Sequence, residues 1–90
     1  MSREDFIEKI ALEAGLSKKD AAASLNAVLD GITLALEKGE KVSFVGFGTF
    51  SVAHRNARTG INPKTGEKIQ IAERNVPVFK AGKKLKDSVK

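Results

Sequence analysis

The sequence predicts an α+β fold in which helices come first and an antiparallel β-meander follows. Apolar residues recur at helical spacing as far as Gly39 and alternate beyond it. Helix start and stop residues bracket the first region twice. Short β-branched and aromatic runs, separated by glycine-containing turns, fill the second.

The stretch "SRED" opens the first helix, with Ser2 placed to cap a free amide and Asp5 to reach back to it. Phe6, Ile10 and Ala14, with Ile7 and Ala11 beside them, make one apolar stripe, and Gly15 supplies a left-handed stop. "SKKD" repeats the start signal at Ser17 and Asp20. Ala21, Leu25, Val28, Leu29, Ile32 and Leu36 form a second stripe ending before Gly39. The expectation is a hairpin of two helices, about 12 and about 20 residues long, with both stripes facing inward.

"KVSFV" and "TFSVAHR" then read as strands joined through "GFG", with Val42, Phe44, Phe50 and Val52 as inward candidates. A second hairpin runs out from Arg55 to Gly60 and back from Gly66 to Arg74, with "INPKT" at its tip. "VPVF" reads as a third strand of the sheet, and its proline assigns it to an edge or a bulge. "GKKLKDSVK" closes as a short basic helix carrying Leu85 and Val89.

The second hairpin has only Ile61, Ile69 and Ile71 as large apolar residues, too few to hold it on a core. An isolated two-stranded ribbon is marginal in water, so this one reads as a protruding, mobile β-ribbon arm. Phe44, Phe47, Phe50 and Phe79 meanwhile crowd a sheet that one pair of helices cannot cover. Two copies sharing one core resolve the mismatch, which predicts an obligate dimer.

Ninety residues make a single small domain. It has no cysteine, which excludes disulfides, thiolate metal sites and thiol catalysis and fits a reduced, intracellular setting. No apolar run approaches the roughly 18 residues of a membrane span, and the N-terminus reads as lacking a targeting signal. The expected location is the cytoplasm.

The net charge of +5 is unevenly spread. Residues 1–40 carry five basic groups against eight acidic, a net of −3, and residues 41–90 eleven against three, a net of +8. That asymmetry points to a polyanion-binding face on a neutral-to-acidic body; a solubilising charge excess is the plainer alternative. The arm holds Arg55, Arg58, Lys64, Lys68 and Arg74, opposed only by Glu67 and Glu73. Basic groups alternating along a ribbon can follow two lines of phosphates, and a two-stranded ribbon fits a DNA groove. Protection of a free strand edge is the competing reading. Lys80, Lys83, Lys84 and Lys86 form a second patch, partly at the start of a helix, where cations are unfavourable without an external anion.

Enzyme chemistry finds little support. His54, the only histidine, has no metal-ligand or nucleophile partner at suitable spacing and reads as a surface strand residue. Glu67 and Glu73 read as charge partners of neighbouring lysines. "GFG" lacks the third glycine and the following helix of a dinucleotide loop. No metal or cofactor is expected. With no Trp or Tyr, and Phe mostly at core spacing, an aromatic stacking platform for single strands or RNA is disfavoured.

"VGFGTF", "HRNARTGINPKTGEKIQI" and "VPVFKAGKKLKDSV" closely resemble the bacterial histone-like HU proteins, of the same superfamily as integration host factor. The likeness spans essentially the whole chain. It implies an intertwined dimer in which residues 1–40 form a helical dimerisation part, 41–54 and 75–80 a saddle of three strands, 55–74 the arm and 81–90 the C-terminal helix. The family's arms embrace double-stranded DNA in the minor groove, with a tip proline wedged between base pairs. Carried onto this chain, Pro63 is the wedge and Asn62 its turn-forming neighbour. Arg55 and Arg58 line the groove together with the other tip and arm positions Ile61, Lys64, Thr65, Lys68 and Arg74. Lys80, Lys83 and Lys86 meet flanking phosphates, and Gly46 and Gly48 form a tight turn that lets backbone approach the duplex. Ile61 departs from the arginine common at that position, removing a cation beside the wedge.

The function implied is non-sequence-specific architectural binding and bending of DNA in the nucleoid, with nicked or distorted duplex preferred because unstacking costs least there. A sequence-specific bending subunit like integration host factor is the alternative; a protein-interaction module pairing through the arm edge is another. Homodimer or heterodimer with a related chain, and any RNA role, stay open.

Overall fold

Ser2 opens the first helix as its hydroxyl accepts a hydrogen bond from the Asp5 amide at 3.2 Å, while the Asp5 carboxylate accepts one from the Ser2 amide, also at 3.2 Å. The exchange satisfies two amides that a helix start leaves without partners. Helix α1 (Arg3–Ala14) stops at Gly15, whose φ of 67° is the left-handed turn expected there. The Ser17 hydroxyl accepts from the Asp20 amide at 3.1 Å, and α2 (Lys18–Glu37) follows. The helices are 12 and 20 residues long, as their periodicity predicts.

The computed structural model describes residues 1–90 and divides them into two units, Met1–Leu34 and Ala35–Lys90. No helix is long and apolar enough to cross a membrane.

In the first unit, Arg3 donates to the Asn26 side-chain oxygen and Lys18 Nζ donates to Glu8 at 2.9 Å, tying α1 to α2. The hydrogen bond and charge of Glu8 hold the Lys18 ammonium pKa above its ordinary value. Ile7 and Ala21 are buried, whereas Phe6, Val28 and Leu29 keep 44%, 53% and 46% of their surface exposed. Both predicted stripes exist, but one chain does not cover them.

The second unit holds β1 (Val42–Phe44), β2 (Gly48–Arg55), β3 (Arg58–Ile61), β4 (Lys68–Ile71), β5 (Arg74–Ala81) and α3 (Lys83–Val89). Strands β1, β2 and β5 form an antiparallel sheet in the order β1-β2-β5, and β3 and β4 form a separate two-stranded ribbon. Pro77 stands on β5, an edge strand, opposite Val52, where a residue without an amide proton does least harm.

Side chains alternate between the faces of a sheet, so the register sorts them. Val42, Phe44, Phe50, Val52, Pro77 and Phe79 share one face. Phe50 and Phe79 rings lie 4.7 Å apart, Phe47 and Phe79 5.6 Å, and Phe44 meets Phe50 edge-on at 6.4 Å. Of the inward candidates, Val42, Phe50 and Val52 are half-buried, and Phe44 is 41% exposed.

Candidate nucleic-acid interface

On the opposite face of the three-stranded sheet, polar and basic residues at the two ends flank a middle of Ala53, Val76 and Val78. Ser43, Thr49 and Lys80 lie in one row across it, Ser51 follows, and Arg55 and Arg74 form its last rung. The Ser43 and Thr49 hydroxyls share a hydrogen bond of 2.8 Å. Strict alternation along "KVSFV" and "TFSVAHR" is the signal that marks these two hydroxyls, which charge and glycine patterns alone pass over.

The turn before β2 carries Gly46 and Gly48. Gly46 adopts φ 84°, which a side chain would disfavour. Gly48 is buried, and a Cβ there would stand 2.4 Å from Phe79 Cζ and 2.7 Å from the Lys80 carbonyl oxygen. Its lack of a side chain therefore admits the Phe79 ring. The Gly82 amide donates to the Phe47 carbonyl at 2.7 Å and the Leu85 amide to the Gly46 carbonyl at 3.2 Å, docking the start of α3 on this turn. Lys83 is the first residue of α3 and Lys86 lies one turn on, so both are held next to the basic face.

The ladder between β2 and β5 ends at Arg55 opposite Arg74, and that of the ribbon begins at Arg58 opposite Ile71. Where the two ladders break, Arg55, Arg58 and Arg74 line a hollow of about 470 Å³ together with His54, Asn56 and Ile71. Along the ribbon, Arg58, Gly60, Ile69 and Ile71 share one face, and Thr59, Ile61, Lys68 and Gln70 the other. Arg58 and Lys68 thus address opposite sides.

The tip is shaped by its own polar groups. The Asn62 side-chain oxygen accepts from the Lys64 amide at 2.9 Å, an Asx turn, and the Asn62 carbonyl accepts from the Gly66 amide at 2.8 Å. The Asn62 amide donates to the Glu67 carbonyl at 2.8 Å, and Thr65 Oγ1 accepts from the Glu67 amide at 3.3 Å. Gly66 closes the turn at φ 71°. Pro63, which has no amide proton to satisfy, stands exposed at the apex, and Ile61 beside it is 68% exposed.

The ion pairs of the chain are Lys9–Glu13, Lys18–Glu8 and Lys90–Asp87, with His54–Glu73 a fourth when the imidazole carries a proton on both nitrogens. Arg55, Arg58, Lys64, Lys68, Arg74, Lys80, Lys83 and Lys86 all stand outside them. Glu73 pairs with His54 Nε2 at 3.6 Å rather than with a lysine, and Glu67 forms no ion pair, which corrects the expected partners of both. His54 is a surface strand residue, as expected, with Nδ1 3.0 Å from Asn75 Oδ1.

A three-stranded sheet and a separate ribbon, both bearing cations that no carboxylate answers, define a β-ribbon binder of polyanions. All of residues 1–90 match the family described as bacterial DNA-binding protein. The chain is 59% identical to DNA-binding protein HU-alpha of Vibrio proteolyticus and 54% identical to DNA-binding protein HU of Haemophilus influenzae, with 100% of both chains covered in each case. Among solved structures it resembles the Anabaena HU–DNA cocrystal structure, with a TM-score of 0.91 and 43% identity over 99% of this chain and 97% of that one. HU from Thermotoga maritima matches over 100% of both chains with a TM-score of 0.72 and 39% identity. The chain belongs to the bacterial DNA-binding protein family, among its HU members, which are binding proteins rather than enzymes.

Proposed function

We propose that the protein is an architectural, non-sequence-specific DNA-binding protein of the nucleoid, acting in the cytoplasm as a dimer. The observation that carries this reading is the set of unpaired cations on the sheet face, the ribbon and α3. Phosphates would supply the missing counter-charge, and release of condensed counterions would drive binding without regard to sequence. The Anabaena relative was crystallised with DNA.

In this reading the ribbons enter the minor groove, with Arg55, Arg58 and Arg74 at the root, Lys64 and Lys68 further out, and Asn62 and Thr65 shaping the tip. Pro63 wedges between base pairs and bends the duplex, with Ile61 adding an apolar surface beside it. Lys80, Lys83 and Lys86 bind flanking phosphates, and Gly46 supplies the turn beside them.

The dimer rests on surface that the single chain leaves uncovered. Phe44, Phe47 and Phe79 are each more than two-fifths accessible, and an obligate dimer would cover apolar surface of this kind.

The experiment is a titration of intact, nicked and unrelated duplexes at several salt concentrations, repeated with Pro63→Ala. The expected result is similar affinity for unrelated sequences, a steep salt dependence and tighter binding to nicked DNA that Pro63→Ala reduces. A Pro63→Ala variant with undiminished preference for nicks would remove the wedge. Sequence preferences of several kcal/mol would favour an integration-host-factor-like reader instead.

A further inference from the structure

The acidic side chain at the root of the ribbon does not pair with the arginines around it. Glu73 lies in the break between β4 and β5 and immediately precedes Arg74, yet its Oε2 is held 3.6 Å from His54 Nε2. The other ring nitrogen, Nδ1, lies 3.0 Å from Asn75 Oδ1. Both partners are hydrogen-bond acceptors, and a neutral imidazole donates from one nitrogen only. The Nδ1 contact serves a neutral or a charged ring, whereas the Glu73 contact is too long for a hydrogen bond and becomes an ion pair only when the ring is charged. Arg55, Arg58 and Arg74 line the hollow beside His54.

We propose that His54 is a proton-operated latch on Glu73. Charged, it holds the carboxylate away from Arg55, Arg58 and Arg74 and leaves those guanidiniums to DNA phosphate. Neutral, it releases Glu73 to compete with phosphate for them. DNA binding is then coupled to uptake of a proton at His54, and the coupling is reciprocal. This rests on the DNA-binding reading above. His54 is a positioning residue here, acting through Glu73.

The composition makes the test clean. With one histidine and no cysteine, the chain has a single imidazole to remove and no thiol to confuse the result. Affinity for one nicked duplex is measured at fixed ionic strength from about pH 5 to about pH 8 for the wild type, His54→Gln and Glu73→Gln. The wild type is expected to bind about threefold to fivefold more tightly at the acid end, at or just below the usual range for coupled sites because the pair is exposed. His54→Gln, which keeps the terminal amine, is expected to lose most of that slope, and Glu73→Gln likewise. Calorimetry in buffers of different ionisation enthalpy should show proton uptake by the wild type and not by His54→Gln. A flat wild-type profile overturns the latch, as does a wild-type slope in either variant. Absence of binding at every pH would instead defeat the DNA-binding reading itself.

Discussion

Arg55 and Arg74 stand directly opposite each other on the last rung of the β2–β5 ladder, and neither has a carboxylate partner. Like charges so placed cost a sheet roughly 0.2–1 kcal/mol, a penalty that an external polyanion would relieve. Arg74→Gln should therefore leave the thermal midpoint unchanged or slightly raised. It should also lower the slope of log affinity against log salt by about 0.9 for each phosphate that Arg74 neutralises. An unchanged salt slope would place Arg74 off the DNA path.

Ile61 occupies the ribbon rung opposite Lys68 and is 68% exposed. Replacing it by arginine adds a cation next to Pro63 without disturbing any packing. Ile61→Arg is expected to steepen the salt slope by about 0.9 per arm, with melting unaffected. Salt titrations of the two proteins side by side decide the matter, and equal slopes would mean that position 61 does not reach a phosphate.

Gly48 is the position least able to accept a side chain. Its Cβ would fall 2.4 Å from Phe79 Cζ and 2.7 Å from backbone oxygen, so ring and strand would both have to move. Overpacking of this kind costs about 1–3 kcal/mol or more. In a domain of this size each kcal/mol lowers the melting midpoint by about 4–8 °C. Thermal unfolding of Gly48→Ala should show that drop; a wild-type melt would mean that the Phe79 ring is not confined there.

The exposed aromatic face predicts association. Phe47 is 49% exposed and its ring lies 5.6 Å from that of Phe79. The unfolding midpoint should rise with protein concentration, as it does when folding and association are one equilibrium. Phe47→Glu should shift sedimentation towards a monomer or prevent folding at micromolar concentration. A concentration-independent midpoint would contradict an obligate dimer.

Much of this molecule follows from local signals. The reciprocal bonds of Ser2 and Asp5, the positive φ of Gly15 and Gly39, and the edge position of Pro77 involve near neighbours or intrinsic backbone limits. So does the change of period after Gly39. The cationic character of the second half is legible in composition alone, and with it the class of ligand.

What composition and periodicity leave undetermined is which distant residues meet. His54 reaches Glu73 and Asn75 because β2 and β5 are paired in one register and because that ladder stops at Arg55 and Arg74. By charge alone any nearby cation would suit Glu73; strand pairing gives it a histidine and leaves the arginines free. Gly48 reads in sequence as a turn residue, and only the packed sheet reveals the ring that needs its missing side chain. By itself the sequence determined the elements, their ends and the sign of the binding face, since caps, period and charge act over a few residues. The tertiary structure decided which cations remain unpaired and what the one histidine meets, because strand register joins residues some twenty positions apart.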